Sequence, residues 1–416
     1  MKILAIEEGF PPELMSSHFA LEFAQELEKR GYSMSVVTLF PRKHLLKKQV
    51  DIPKGKIFYW DSNYDNICVL RVFPQFRNAS EWGRAIEYFV SSIALLTGGL
   101  IISGKKDIIH VGTPPLFVAF TACILASLRR TPIILRIWDI HPDALEKIGV
   151  IRNKFLIGAM KIIERFVYRY VDHITVISQS YKNYLIHEGV SEKKITMIPN
   201  WTRLESLQST TSTNYEFRKD FGLEEKFVVT YAGSLSWQND LETIIKSANL
   251  LREHKGIFFV FCGDGIKKDS TMQMSKKLNL SNTLFIPPQP MEKYLKIISE
   301  SDVCIVSYTK DFTSPALPAR LPSILACAKS VIANLPFGSD TYDLVNNAEC
   351  GFWVEPGNAK FLAAYVLKLN EDRGMNKLFG LNGRKYAEKH LSIESCMNLY
   401  DEILQMFKKH EKSAAR

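Results

Sequence analysis

The positions best placed for chemistry are those that directly follow apolar runs. Asp139 comes two residues after the run Ile133 to Ile137, where a carboxylate at a strand end faces open space and can accept from a hydroxyl. An N-cap for the next helix is the alternative. Gly233 follows Phe227 to Tyr231 and precedes a helical pattern from Leu241. Backbone N–H groups at such a helix start can meet a diphosphate; an ordinary glycine turn is the alternative. Ser16 and Ser17 precede the stripe Phe19, Phe23 and Leu27, so they can cap a helix and still present N–H groups to a phosphate. His141, beside Pro142 and Asp143, reads as a turn residue. Trp237 is either a stacking surface at a rim or core. Asn200, after Ile198 and Pro199, reads as a hinge held by side-chain to backbone bonds.

Several chemistries are excluded. The seven cysteines are odd in number and widely spaced, so they read as buried thiols in a reducing compartment. The absence of C-x-x-C and H-E-x-x-H argues against structural zinc and a zinc protease. The net charge is +9. Residues 1–200 hold 26 Lys and Arg against 19 Asp and Glu, the remainder 27 against 25. The excess therefore lies mainly in the first half, which suggests that this half meets phosphates, nucleic acid or an acidic membrane face, with a bland surface as the alternative. The basic residues lack interleaved aromatics, which argues against nucleic acid.

The elements that position these residues alternate in type. Apolar strands are expected near 2–6, 34–39, 67–72, 107–111, 133–137, 173–177 and 195–198, separated by helix-length segments. Residues 202–216 lack apolar periodicity and read as a linker. A second series starts at Phe227 and continues at 257–262, 284–286, 303–306, 331–333 and 351–354. Two such series predict an α/β protein of two doubly wound parallel-sheet domains facing a cleft, with ligands at the carboxyl ends of the strands. The expected limits are 1–200, a linker 201–220, 221–380, and C-terminal helices over 381–416 that return toward the first domain.

Tyr88 to Gly104 carries no charge over 17 residues. A buried core helix, a helix on the membrane surface and a full span are the three readings; a span needs ~20 apolar residues. Arg42, Lys43, Lys47, Lys48, Lys54 and Lys56, opposed by Asp51, would attract anionic head groups. The sequence opens straight into Lys2-Ile3-Leu4-Ala5-Ile6, without the apolar stretch of a signal peptide, so a cytoplasmic protein is expected, peripheral on the inner membrane face.

Longer strings carry more. In order along the chain stand "KILAIEEGFPPE", "GTPPLFVA", "RIWDIHPDALEKIGV", "VDHITVISQSYKNYLIHEGVSEKKITMIPNW", "VTYAGSLSWQNDLETIIKSA", "LPARLPSILACAKSVIA", "PFGSD" and "GFWVEPGN". Together they resemble retaining glycosyltransferase family 4, and most of all the branch that builds bacterial polysaccharides on lipid carriers. The resemblance implies a GT-B architecture of two Rossmann-like domains. It places the nucleotide sugar mainly on the C-terminal domain and the acceptor on the N-terminal one.

The same resemblance suggests site residues. Gly233 and Gly263 fall in donor-binding turns. The family's Arg and Lys after the first of these are replaced by Ser234 and Asn239. A cation in a Pro-Ser-Lys string of the branch corresponds to Arg320 in Pro318-Ala319-Arg320, which makes Arg320 the diphosphate clamp. Both carboxylates of the family's E-x7-E motif are absent, with Pro315 and Ser323 in their places. Ser323 would meet the ribose, and backbone groups of Thr313 to Leu317, including Ser314 and Ala316, would meet the sugar. Ala328 and Ser330 replace the usual Gly and Pro. Gly9, Pro11 and Pro12 correspond to the loop facing phosphates and acceptor, with Met15 and Ser16 in place of a glycine pair.

The implied activity is transfer of a hexosyl or N-acetylhexosaminyl residue, with retention, from a nucleotide diphosphate sugar to a polyprenyl-diphosphate-linked acceptor, with Asp139 and Arg320 as catalytic residues. No cofactor and no metal are expected. A non-catalytic binding or scaffold protein and a sugar-nucleotide epimerase are the alternatives.

Overall fold

The computed structural model describes residues 1–12, 17–41, 56–64, 66–73, 81–102, 104–139, 154–204, 216–312 and 317–414. Its contacts divide the chain into two units, Met1–Ile198 and Pro199–Arg416, and the C-terminal helices cluster with the second.

The first unit runs β1 (Lys2–Glu7), α1 (Ser17–Lys29), β2 (Ser33–Leu39), β3 (Phe58–Asp61), β4 (Cys68–Val72), α2 (Glu81–Ile101), β5 (Ile108–Thr113), α3 (Leu116–Arg129), β6 (Ile133–Ile137), α4 (Lys154–Tyr170), β7 (His173–Val176), α5 (Gln179–His187) and β8 (Ile195–Met197). Its sheet has the order β3-β4-β2-β1-β5-β6-β7-β8. β5 and β6 are buried along their whole length, as strands covered on both faces must be, so they read as unbroken apolar runs. The sheet adds one strand that the sequence did not suggest. β3 pairs antiparallel with β4, and its Trp60 is exposed while only Asp61 is buried.

The second unit runs α6 (Phe217–Asp220), β9 (Phe227–Ala232), α7 (Leu241–Leu250), β10 (Ile257–Cys262), α8 (Lys268–Lys277), β11 (Thr283–Ile286), α9 (Met291–Ser299), β12 (Val303–Ser307), α10 (Leu321–Ala326), β13 (Ser330–Asn334), α11 (Asp340–Asn347), β14 (Gly351–Val354), α12 (Ala359–Glu371), α13 (Arg373–Tyr386) and α14 (Ile393–Ala414). The parallel sheet has the order β11-β10-β9-β12-β13-β14, the doubly wound order whose direction reverses between β9 and β12. Two apolar clusters line the sheet, one containing Val228, Val260, Cys304 and Val331, the other Val229, Phe259, Ile305 and Ile332. Alternate residues of each strand thus enter opposite clusters, as period-two side chains require.

The segment that begins the second unit is fixed differently from the expectation for Asn200. The Asn200 side chain is buried and its Oδ1 has no partner among the described residues. Main-chain bonds hold this stretch instead: Thr202 N donates to Leu391 O at 2.8 Å and Ile393 N to Thr202 O at 3.1 Å.

The uncharged stretch lies in α2, whose Ser91, Ser92 and Leu95 are buried while Phe89 and Ile93 are exposed. Among the described residues no helix is long and apolar enough to cross a membrane. Of the basic stretch, residues 42–55 lie outside the described residues. All seven cysteines are free thiols. Burial pushes Cys123, Cys304, Cys327 and Cys350 up to about 12, which leaves them protonated and unreactive. Cys68 departs from the expectation and is exposed.

Candidate functional site

In the second unit the ends of β9 and β10 are knitted into one layer. Gly233 N donates to Cys262 O at 2.8 Å, and Leu235 N to Asp264 O at 2.9 Å. Gly263 has φ +156°, and a β-carbon there would stand 1.9 Å from Gly233 O. Glycine is therefore required for the two turns to touch.

This geometry changes the role of Gly233. Its N–H is already committed to Cys262, so it is not the phosphate donor the sequence suggested. What Gly233 supplies is space, since a β-carbon on it would lie 2.0 Å from Arg320 Nη1. The start of α7 is closed to an anion as well. The Asp240 carboxylate caps it, accepting from Thr243 N at 3.2 Å through Oδ1 and from Gly357 N at 2.8 Å through Oδ2. A carboxylate on the positive end of a helix repels a second anion.

Arg320 lies over the end of β9. Its guanidinium carbon is 4.7 Å from the Tyr231 ring centroid, and Nη1 donates to Tyr231 Oη at 3.4 Å. Tyr231 Oη in turn donates to Ser234 O at 2.6 Å. Burial raises the Tyr231 phenol above its ordinary range, with the Arg320 charge pulling the other way. Arg320 Nε and Nη2 are shut off from solvent and find no hydrogen-bond partner among the described residues. The hydroxyls of Tyr231, Tyr308 and Tyr294 are its principal electrostatic neighbours. A desolvated cation with neutral neighbours is costly and is suited to an anionic ligand.

The remaining donor-site expectations divide. Asn239 is turned inward: Nδ2 donates to Ser307 O at 2.9 Å, and Oδ1 accepts from Ser236 Oγ at 2.9 Å. It ties the β9 turn to the end of β12 and presents nothing to a ligand. The Ser323 hydroxyl is engaged by Arg320 O at 2.8 Å and Tyr294 Oη at 3.2 Å, and so braces the Arg320 backbone. Ser234 is exposed, and Leu317 is half-buried against the apolar cluster. Ser314 and Ala316 lie outside the described residues. Trp237 is 66% exposed, which removes the core reading, and Lys267 Nζ lies 5.2 Å from its ring centroid.

In the first unit Gly9 and Pro12 lie in a loop gripped from the edge of the sheet. Arg71 Nη2 and Tyr64 Oη both donate to Pro11 O, and Arg71 Nε is paired with Asp61 Oδ2 at 2.7 Å, both side chains being buried. Phe10 is buried and meets the Tyr64 ring edge-on at 5.1 Å. Ser16 lies outside the described residues. Asp139 follows β6 as expected, and Oδ1 accepts from Tyr181 Oη at 3.1 Å. The next segment, with His141, lies outside the described residues.

Sequence reasoning passed over a buried pair at the reversal point of this sheet, where β1 and β5 adjoin. Glu7 Oε1 lies 3.6 Å from His110 Nδ1. Glu7 Oε2 fills the space a β-carbon on Gly112 would need, at 2.6 Å. The signal was present in the sequence as a glutamate ending one apolar run and a histidine inside another.

Two such doubly wound α/β units make up the GT-B architecture. Residues 16–206 match the family described as Glycosyltransferase Family 4, and residues 214–386 match Glycosyl transferases group 1. The two glycosyltransferase matches together span most of the chain. Among its relatives is WcaI of Escherichia coli, assigned to colanic acid biosynthesis, 25% identical over 71% of this chain and 73% of that one. Another is the capsular polysaccharide biosynthesis glycosyltransferase CapM of Staphylococcus aureus, 24% identical over 78% of this chain and 82% of that one. Among solved structures, HepE of Anabaena in complex with UDP has a TM-score of 0.71 at 15% identity, covering 98% of this chain and 100% of that one.

Proposed function

We propose that the protein transfers a hexose or N-acetylhexosamine, with retention of configuration, from a uridine or guanosine diphosphate sugar to a polyprenyl-diphosphate-linked glycan during cell-surface polysaccharide assembly. The observation that carries this reading is Arg320: a guanidinium with two desolvated nitrogens that have no partner among the described residues, at the strand ends of the second unit. A diphosphate would satisfy both and cancel the buried charge, and the same contacts would strengthen as the diphosphate departs and gains charge. The kinship with colanic acid and capsule glycosyltransferases supports the polysaccharide setting, and the UDP held by the Anabaena protein supports a uridine nucleotide.

In this reading the departing phosphate itself takes the acceptor proton. No nucleophile and acid pair of the hydrolase kind is then needed. Asp139 would accept from the acceptor hydroxyl or orient it through Tyr181. Arg320 supplies the charge that a divalent cation supplies elsewhere, so activity is expected to survive chelation with EDTA. The acceptor's lipid would bring the protein to the inner face of the membrane as a peripheral protein.

Isothermal titration with UDP and GDP tests the donor half, and incubation with nucleotide sugars and a lipid-linked monosaccharide tests transfer. Binding of neither nucleotide would overturn the proposal. Nucleotide binding without transfer or hydrolysis of any donor would favour a scaffold protein.

A further inference from the structure

We propose that the outer surface of α2, α3 and α4 docks this protein on an anionic lipid bilayer; the choice of a bilayer rests on the lipid-linked acceptor proposed above, while the surface itself is independent of it. The three helices lie side by side on one face of the first sheet, α3 contacting both neighbours. Each buries one face and turns a second apolar stripe outward. On α2 that stripe is Ile86, Phe89, Ile93 and Leu100, spaced by three, four and seven residues. On α3 it ends in Ile124 and Leu128, and on α4 it runs Phe155, Ile162 and Phe166. Phe89 is 61% exposed, Leu128 64% and Ile162 72%. Phe166 meets Phe120 of α3 at 5.6 Å between ring centroids, so the stripes join into one surface.

A helix that ends at water is normally apolar on one side only, and a contiguous apolar surface of this kind marks a contact. The charges say with what. Each helix links two parallel strands, so all three run in the same direction and their C-terminal turns lie along one border. That border carries Lys105, Arg130, Arg165 and Arg169, all exposed, Arg165 lying 3.4 Å from Glu188 Oε2 just after α5, with Tyr170 among them. Within residues 81–106, 116–130 and 154–170 there are nine Lys and Arg against three Asp and Glu, and one of the three, Glu164, is buried and accepts from Tyr168 Oη. An apolar field with a basic and aromatic border matches acyl chains beneath anionic head groups.

The experiment is flotation of the purified full-length protein with vesicles of phosphatidylcholine alone, or with roughly 30% phosphatidylglycerol added. The wild type is expected to float with the anionic vesicles and far less with the neutral ones. Phe89→Asp/Leu128→Asp/Ile162→Asp should weaken binding at least about tenfold. Arg165→Ala/Arg169→Ala should weaken it about thirtyfold on anionic vesicles and leave the neutral ones unchanged. Should the triple variant misfold, as read by thermal unfolding, the double variant decides alone. A wild type that stays with the free protein, or variants that float like the wild type, would overturn the proposal. So would a wild type that is dimeric by sedimentation equilibrium and that the triple variant converts to monomer without any vesicle binding. UDP titration of the same samples separates this outcome from the donor reading, because none of the substituted residues lies in the second unit.

Discussion

A β-carbon on Gly233 would collide with the guanidinium of Arg320, at 2.0 Å from Nη1. The glycine after β9 is thus fixed by an arginine that arrives after β12, at the point where the sheet order reverses. The family's glycine turn is retained, although its N–H is used for holding Cys262 rather than for binding an anion.

Gly233→Ala follows directly from this contact. The residue has φ +145°, so alanine brings backbone strain of about 1–3 kcal/mol and displaces Arg320. Nucleotide affinity measured by calorimetry is expected to fall as far as it does for Arg320→Ala. Unchanged affinity would mean that Arg320 does not need its present position.

Arg320 itself separates binding from stability. Arg320→Ala should weaken UDP binding by about 1.5 to 3 kcal/mol, the range of a charged hydrogen bond. Arg320→Met should raise the thermal stability of the ligand-free protein, by about 1 to 2 kcal/mol, because it removes a desolvated charge that has no counter-ion among the described residues. Thermal unfolding with and without UDP measures both; a variant less stable without ligand would point to a structural arginine.

Asp61 and Arg71 make the opposite case, since each is buried and each neutralises the other. Asp61→Ala leaves Arg71 charged and unpaired, and should cost about 3–5 kcal/mol. The loop from Gly9 to Pro12, held through Pro11 O, should loosen with it. Denaturant unfolding and proteolysis near this loop would show the change, and a loss below 1 kcal/mol would contradict it.

His173 sets an acid limit on the first unit. Burial pushes it down to about 4, with the Lys194 charge acting in the same sense, while Nε2 contacts Thr196 Oγ1 at 2.9 Å. The unfolded chain, near 6.5, binds the proton first. Its contribution is therefore intact above pH 6.5 and is lost as pH falls toward 4, by about 2 kcal/mol after allowance for solvent screening. His173→Gln should flatten the stability profile over that window; an unchanged slope in pH-dependent unfolding would assign the loss to other groups.

Much of this was legible along the chain. The parallel strands announced themselves because burial on both faces demands unbroken apolar runs, as in Ile133 to Ile137. Asp139 and Gly233 could be placed at strand ends for the same reason. β3 could not, because an edge strand needs one buried side only, and Phe58–Asp61 buries little beyond Asp61.

The sequence by itself determined the two alternating series, the glycine turns and the resemblance to glycosyltransferases, because all of these are written in local pattern and order. Tertiary structure alone decided what the turns do. It spent the Gly233 N–H on Cys262, turned Asn239 inward, capped α7 with Asp240 and left Arg320 between tyrosines. The reason is that a hydrogen bond or a desolvated charge depends on which distant residues meet, and separation along the chain carries no record of that distance.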